Sequence, residues 1–187
     1  MTAVRDQTVG NYLEALASTA AVPGGGSAAA LAAAMGAALV SMVARLSARK
    51  AKTEEDREVL TSLVPELDRL AARLLELSQD DIDAYRAVID TRKSGAPAAA
   101  LARAYERAAE VPLETATAAS RAIALLPEVS RRSWEMTASD LAVGSELLQT
   151  GVSGALGNVA INLPELQGDA AARIEAAYRE LRNDANE

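Results

Sequence analysis

The chain of 187 residues contains no cysteine, no histidine and no phenylalanine, and only 3% of its residues are aromatic. The absence of cysteine and histidine excludes thiol nucleophiles, Ser-His catalytic triads, zinc sites built on these ligands and imidazole bases. Any acid–base chemistry must therefore use Asp, Glu, Lys, Arg, Tyr, Ser or Thr. Because 50% of the residues are hydrophobic while aromatics are scarce, the core must be built from Ala, Leu, Val and Ile. Such a core indicates closely packed helices.

The chain also lacks an excess of positive charge. Its 19 Lys and Arg against 26 Asp and Glu give a net charge of −7, whereas a nucleic-acid surface needs clustered positive charge. We therefore expect no nucleic-acid partner. The N-terminus has no basic-then-apolar signal pattern, and the apolar run from Ala28 to Val43 is short and followed by Arg45 and Arg49. These features predict a cytoplasmic protein with no membrane partner.

Apolar residues recur at helical spacing along the whole chain, and no alternating segment typical of a strand is found. The sequence therefore predicts an all-α fold in a single domain, residues 1–187. The segment from Ala28 to about Ala48 is apolar on every side, which predicts a helix at the centre of a bundle. The other predicted helices begin after Thr8 (burying Tyr12, Leu13 and Leu16) and run from Thr53 to about Asp90, from Pro97 to Leu125, from Thr137 to Ile161 and from Glu165 onward.

The run Pro23-Gly24-Gly25-Gly26-Ser27 stands directly before the central apolar segment. Glycines let backbone N–H groups come close to a ligand, and Ser27 is predicted to cap a helix that begins at Ala28. The free N–H groups of the first turn then face whatever approaches the glycines. An anionic or carbonyl-bearing small molecule fits such a site. The alternative is a tight loop that only leads into a buried helix.

Asp81 lies within the apolar stripe of the long helix that is predicted after Thr53. On a helical wheel this stripe consists of Val59, Leu63, Leu67, Leu70, Leu74, Leu77 and Val88. A carboxylate that faces a core is unfavourable unless it is paired, hydrogen-bonded or protonated. One interpretation is an acid–base group with a raised pKa, next to Tyr85 one turn on. The other is a structural aspartate satisfied by an arginine or by a helix terminus.

The helix predicted from Thr137 carries glycines and polar residues on one face. These residues are Asp140, Gly144, Gly151, Gly154, Asn158 and Asn162. Since glycine costs roughly 1 kcal/mol relative to alanine inside a helix, three glycines on one face indicate that something approaches the backbone closely. Two interpretations are open: a neighbouring helix, or a flat ligand that lies in the groove with Asp140 and the asparagines near it.

Several motifs spread over most of the chain form a combined pattern. They are Thr8-Val9 to Leu16-Ala17, the glycine run with Met35-Gly36-Ala37-Ala38-Leu39-Val40, Asp80-Asp81-Ile82-Asp83-Ala84-Tyr85, Val111-Pro112-Leu113, Ser139-Asp140 with Val143-Gly144, and Asn158 to Leu163. This pattern resembles the cyclodeaminase/cyclohydrolase family of helical folate enzymes. The family includes the cyclodeaminase half of formiminotransferase-cyclodeaminase and stand-alone methenyltetrahydrofolate cyclohydrolases.

The resemblance implies an antiparallel helical bundle that forms a homodimer and binds a folate-type small molecule near the glycine run. We expect the glycine face of the fifth helix to lie in the dimer interface or in the pocket. The resemblance implies Asp81 as the catalytic group. Asp140 is our second catalytic candidate, and we expect no metal and no cofactor beyond the tetrahydrofolate substrate. The expected substrate-binding residues are Pro23, Gly24, Gly25, Gly26, Ser27, Tyr85, Gly144, Asn158 and Asn162.

The leading hypothesis is hydrolysis of 5,10-methenyltetrahydrofolate to a formyltetrahydrofolate. The alternatives are ring closure of formiminotetrahydrofolate with loss of ammonia, a non-catalytic folate-like small-molecule binder that kept the fold, and a purely structural oligomer. The sequence departs from the family pattern at three places, and these departures keep the hypothesis of a non-catalytic binder open. We expect these positions to line the pocket. A Leu-Pro-Lys tripeptide is replaced by Thr91-Arg92-Lys93-Ser94, a Gly-Asn pair by Ser133-Trp134, and an asparagine by Arg45.

Overall fold

The structure, a computed structural model, describes residues 2–185. Within this range the regular structure consists of six α-helices and three short 3-10 turns, and there is no strand. The helices are α1 (Val9–Leu16), α2 (Gly25–Lys50), α3 (Glu54–Lys93), α4 (Ala98–Arg132), α5 (Ala138–Asn162) and α6 (Gly168–Asp184). The predicted all-α class is confirmed. Because short connections join α2 to α3 and α3 to α4, consecutive helices reverse direction and the bundle is antiparallel.

The Ala-rich helix α2 lies at the centre of the bundle, as predicted, and packs against α3, α4 and α5. Its fully buried side chains are small: Ala30, Ala33, Ala37, Val40, Val43 and Ala44. By length and composition alone α2 could cross a membrane, but 61% of its most apolar window is buried inside the bundle. Packing within the chain therefore accounts for the hydrophobicity of this helix.

The glycine face of α5 packs against α2. A Cβ atom on Gly151 would lie 2.5 Å from the Cβ of Ala33, and one on Gly144 would lie 3.2 Å from the carbonyl oxygen of Gly36. The neighbouring-helix interpretation of this face is therefore correct, and the expected dimer interface is already occupied by α2 of the same chain. Gly144, expected to contact the substrate, is instead buried between the two helices, which leaves no room for a ligand beside it.

Two helices begin where the sequence indicates. Thr8 and Thr53 each cap a helix by accepting a hydrogen bond, 3.1 Å long, from the backbone N–H three residues on. Helix α2 begins differently, because its N-cap is Gly24 and no side chain caps it. Ser27, the predicted cap, lies inside the first turn, where its hydroxyl is held by two buried side chains of other helices.

Other boundaries differ from the prediction for reasons of packing. Helix α4 continues past Leu125 and through Pro127, because Val129 beyond the proline is fully buried and holds the last turns on the bundle. The last helix begins at Gly168, after a 3-10 turn. In α1, Leu13 was expected in the core, but it is 54% exposed since only the Tyr12 side of this helix packs inward.

Candidate active site

A cleft of about 280 Å³ lies at the end of the bundle where α2 begins. The antiparallel arrangement brings the second half of α3 and the last turns of α5 to this same end, and α4 contributes Ala108. The residues that line the cleft include Val22, the glycine run from Gly24 to Gly26, Asp81, Tyr85, Asn158, Ile161 and Asn162. Most of the residues predicted for the substrate site are therefore brought together by the fold.

The carboxylate of Asp81 lies directly against the backbone of Gly26. A Cβ atom on Gly26 would lie 2.1 Å from Oδ1 and 2.7 Å from Cγ of Asp81. The backbone N–H of the next residue, Ser27, donates a hydrogen bond to the carboxylate. Only glycine leaves this space free, so the predicted position of Asp81 beside the glycine run is confirmed.

Asp81 also differs from its neighbours in having no cationic partner. In the described part of the chain, four of the six α3 aspartates form an ion pair with an arginine: Asp56, Asp68, Asp80 and Asp83. Asp81 and the exposed Asp90 do not. Burial raises the pKa of Asp81 from 3.8 to about 6, and the Ser27 N–H opposes this rise by stabilising the ionised form. A carboxyl group with this pKa can both accept and return a proton near neutral pH.

Three buried hydroxyl groups lie behind Asp81. The Ser27 Oγ is 3.0 Å from the Oη of Tyr12 on α1 and 2.9 Å from the Oγ of Ser78 on α3. Sequence reasoning missed this cluster because it treated Tyr12 only as an apolar residue. A signal was present, since Ser78 precedes Asp81 by one helical turn on the same face and a buried tyrosine hydroxyl needs a partner.

Asn158 and Asn162 form the α5 wall of the cleft. The Nδ2 of Asn158 donates to the carbonyl oxygen of Gly154 at 2.9 Å, and the Nδ2 of Asn162 donates to the carbonyl oxygen of Ala108 at 3.0 Å. These bonds fix the orientation of both amide groups. Their Oδ1 atoms are then the acceptors available to N–H groups of a ligand in the cleft.

Two exposed side chains with apolar surface line the cleft as well. Tyr85 is 48% exposed and Ile161 is 74% exposed. Together they offer an aromatic face and an aliphatic face to a flat ring. Tyr85 was expected here, whereas Ile161 was missed because an exposed isoleucine near the end of a helix has no distinctive sequence pattern.

The remaining predicted residues lie elsewhere. Asp140, the second catalytic candidate, is in the first turn of α5, about 33 Å along the helix from Asn162. The structure therefore does not bring it to the cleft, because a shared helix face says nothing about axial distance. Pro23 and Ser27 are buried and do not line the cleft; Ser27 contributes through its backbone N–H.

The positions that depart from the family pattern were also expected to line this pocket, but they do not. Arg45 lies near the other end of α2, where it pairs with Asp68. The backbone N–H of Trp134 donates to Ser47 at 2.9 Å, near that same end. Lys93 is the last residue of α3 and is exposed. The sequence changes at these positions therefore leave the lining of the Asp81 cleft intact.

Comparison with known proteins assigns the family. The family model described as formiminotransferase-cyclodeaminase matches residues 8–180. The chain belongs to this family. This cyclodeaminase-family protein is 33% identical over 184 residues to a methenyltetrahydrofolate cyclohydrolase of Methylorubrum extorquens, which covers 94% of this chain and 88% of that protein. The family resemblance drawn from the motifs is therefore confirmed.

The chain is also similar to a longer protein and to a solved structure. The chain is 32% identical over 172 residues to a formimidoyltransferase-cyclodeaminase of Mus musculus, covering 88% of this chain and 32% of that protein. It thus spans about a third of the length of this relative. A crystal structure of a formiminotetrahydrofolate cyclodeaminase from Thermotoga maritima superimposes with a TM-score of 0.90 at 22% identity, over 98% of this chain and 92% of that one. This likeness shows a shared fold.

Proposed function

We propose that this cyclodeaminase-family protein is a folate one-carbon enzyme that hydrolyses 5,10-methenyltetrahydrofolate to a formyltetrahydrofolate in the Asp81 cleft. The observation that supports this most directly is a partly buried carboxyl group with a pKa of about 6, seated on Gly26 and the Ser27 N–H. The relative from Methylorubrum extorquens is named for this reaction, and the chain matches 88% of the length of that relative.

The reaction follows from the charge of the substrate. The methenyl carbon bridges two nitrogens in a cationic amidinium, which the partly buried Asp81 carboxylate attracts. Asp81 accepts a proton from the water that adds to this carbon. One carbon–nitrogen bond of the adduct then breaks as its hydroxyl becomes a carbonyl. The leaving nitrogen takes one proton and the second proton passes to solvent, so that no metal or further cofactor is required.

The other lining residues suit a bicyclic ring. The Oδ1 atoms of Asn158 and Asn162 can accept hydrogen bonds from ring N–H groups, while Tyr85 and Ile161 can cover its faces. The volume of about 280 Å³ is at the small end of the range for ligand pockets, roughly 300–1,000 Å³. The cleft therefore suits the ring and the one-carbon unit, and the rest of a folate would extend beyond it.

The cyclodeaminase reaction is the second candidate, and it uses the same cleft. The relative from Mus musculus is named for this activity, and a carboxyl group with a raised pKa suits proton donation to departing ammonia. The two reactions are separated by their products. Loss of the methenyl absorbance reports hydrolysis, whereas ammonia release with a gain of methenyl absorbance from formiminotetrahydrofolate reports cyclodeamination.

The decisive experiment compares the wild type with Asp81→Asn, which keeps the size of the side chain but removes its proton transfer. We expect the wild type to hydrolyse 5,10-methenyltetrahydrofolate faster than buffer, and the variant to lose roughly 10²-fold or more of this rate. Asp83→Asn is the matched control, because Asp83 lies on the same helix but is exposed and outside the cleft. Equal rates for wild type, Asp81→Asn and buffer would refute catalysis. A thermal shift by the folate would then identify a binder, and no shift a structural protein.

We also propose that the protein is a homodimer. Although α2 covers the glycine face of α5, other apolar side chains on these two helices are exposed: Met35 on α2 by 50% and Val143 on α5 by 48%. A second copy that binds this face in an isologous interface would bury them. We expect light scattering at micromolar concentration to give the mass of two chains, and Met35→Glu to give one. A monomeric wild type would refute the proposal.

A further inference from the structure

The first turn of α2 has no side chain of its own at the cap to hold it in place. Its N-cap, Gly24, makes no side-chain hydrogen bond, and Gly25 and Gly26 have no side chains. Glycine is also the residue with the most backbone freedom to lose on folding. Nevertheless, this turn must present the Ser27 N–H to the Asp81 carboxylate. Ser27 is the first residue of the turn whose side chain can anchor it.

The Ser27 hydroxyl is anchored from two sides. Its Oγ lies 3.0 Å from Tyr12 Oη and 2.9 Å from Ser78 Oγ, so one residue joins α1, α2 and α3. Tyr12 is 5% exposed, and both serines are completely buried. Because a serine hydroxyl has one proton, Ser27 can donate at most one of these hydrogen bonds and must accept at least one. Each partner therefore restricts the direction of the Ser27 side chain, and loss of either leaves a buried hydroxyl short of a partner.

The Tyr12 ring also packs against the part of α3 that bears Asp81. The Tyr12 ring belongs to a small apolar cluster with Val4 and Ile82, and Ile82 follows Asp81 in the chain. Ser78, the third hydroxyl, precedes Asp81 by one turn. The hydroxyl cluster thus holds the first turn of α2 against the turn of α3 that bears Asp81.

We propose that Tyr12 is a positioning residue for Asp81. Through the Ser27 hydroxyl, Tyr12 keeps the Ser27 backbone N–H on the Asp81 carboxylate. The proposal rests on the proposed function, because Tyr12 does not line the cleft and influences the reaction only through Asp81. When the phenolic hydroxyl is absent, the first turn of α2 loses one of its two anchors. The hydrogen bond from the Ser27 N–H then weakens, and the ionised form of Asp81 is stabilised less.

The test is Tyr12→Phe, which keeps the ring in its cluster and removes only the hydroxyl. We expect kcat to fall about tenfold while KM stays within about twofold, because the ligand contacts are untouched. Among the residues that the structure describes, Asp81 and Tyr85 are the titratable ones that line the cleft, so the acid limb of the pH profile of kcat/KM reports Asp81. In Tyr12→Phe this limb moves to higher pH by about half a unit.

Tyr105→Phe is the matched control. Tyr105 is also a buried tyrosine, 7% exposed, but it lies on α4 outside the cleft, beneath Arg92. We expect this variant to keep the wild-type kcat and pH profile even where its melting temperature falls. Ser78→Ala removes the other anchor, and we expect its effect on kcat to combine non-additively with that of Tyr12→Phe, since both act on Ser27.

A readout independent of activity is the titration of the Asp81 carboxyl carbon by nuclear magnetic resonance in folded Tyr12→Phe. A higher pKa than in the wild type supports the proposal even if neither protein turns over a folate, in which case only the proposed function fails. An unchanged Asp81 titration overturns the proposal. This holds even if kcat falls, because the loss would then be a general structural effect.

Discussion

Helix α3 presents two carboxylates to α2, and the contrast between them supports the site that we propose for the reaction. Asp68 accepts hydrogen bonds from Arg45 at 3.0 Å and from Ser41 at 2.7 Å. About 20 Å further along the helix, Asp81 accepts one from the Ser27 N–H and has no ion pair with any residue between 2 and 185. The Arg45 guanidinium lowers the pKa of Asp68, whereas burial raises the pKa of Asp81 to about 6.

We place the proposed reaction at the end of the bundle with the unpaired carboxyl group, rather than at the end with the larger cavity. The cavity near Arg45 is the larger, about 610 Å³ against about 280 Å³ for the cleft. It is lined by Arg45, Arg49 and Arg57, of which Arg45 and Arg57 already pair with acidic residues. A carboxylate held by an arginine stays ionised over the working pH range. Asp81 can change its protonation state there.

The largest expected effect comes from closing the space that Asp81 occupies. In Gly26→Ala the new Cβ would lie 2.1 Å from Oδ1 of Asp81, so the carboxylate must move off the Ser27 N–H. We expect turnover of 5,10-methenyltetrahydrofolate to fall by about 10²-fold or more and the melting temperature to drop.

The control for this prediction is Gly157→Ala, an exposed glycine of α5 whose Cβ would have nothing within 4 Å. We expect normal turnover and a gain in stability of about 0.5–1 kcal/mol, since alanine is the better helix former. Normal turnover in Gly26→Ala would contradict the position assigned to Asp81.

The pH dependence of turnover sharpens the contrast between the two carboxylates. Because Asp81 must be ionised to accept a proton, we expect kcat/KM to fall about tenfold per pH unit below its pKa of about 6. Asp68 has a lowered pKa and stays ionised over this range. The measurement is kcat/KM between about pH 5 and about pH 8. A flat profile would show that Asp81 does not act as the base.

The stability of Asp81→Asn tests the cost of keeping this carboxylate buried. Between its unfolded pKa of 3.8 and its folded pKa of about 6, the folded state binds more protons than the unfolded state. Stability therefore falls as pH rises through this window, and the loss is complete above it. We expect Asp81→Asn to raise the free energy of unfolding at neutral pH by on the order of 2 kcal/mol, after discounting for partial solvent access.

Urea denaturation at neutral pH and near pH 4 measures this effect. The gain shrinks at the acid pH, where Asp81 is protonated in the folded protein and no longer differs in charge from asparagine. A gain of equal size at both pH values would show that the charge of Asp81 is not its source.

Asp68→Asn should give the smallest effect, and it should lower the free energy of unfolding, whereas Asp81→Asn raises it. Its folded pKa is lowered by Arg45 and then Ser41, so the pair contributes stability above the unfolded pKa that is lost as pH falls through the folded pKa. Both side chains are 47% exposed, and we expect a loss below about 1 kcal/mol. We expect kcat and KM to stay within about twofold of wild type. A large loss of turnover would instead place the reaction at the Arg45 end.

Periodicity correctly placed Asp81 inside the bundle, because a helical wheel gives the direction in which a residue points. The same wheel grouped Asp140 and Gly144 with Asn158, although Asp140 lies at the opposite end of α5 and Gly144 is buried against α2. A helical wheel does not show how far apart two residues lie along the helix axis. Direction alone therefore suffices to recognise a core position, but not a site that residues of several helices share.

The amino-acid sequence by itself determined the helical class, the Ala-rich central helix, the glycine run at its start and the family, since each is written in local spacing or in motifs. Only the tertiary structure decided that Gly26 receives the Asp81 carboxylate and that Ser27 joins Tyr12 to Ser78 rather than capping α2. These contacts link residues on different helices. The packing of whole side-chain surfaces decides which turns of two helices meet, and no local sequence pattern specifies that packing.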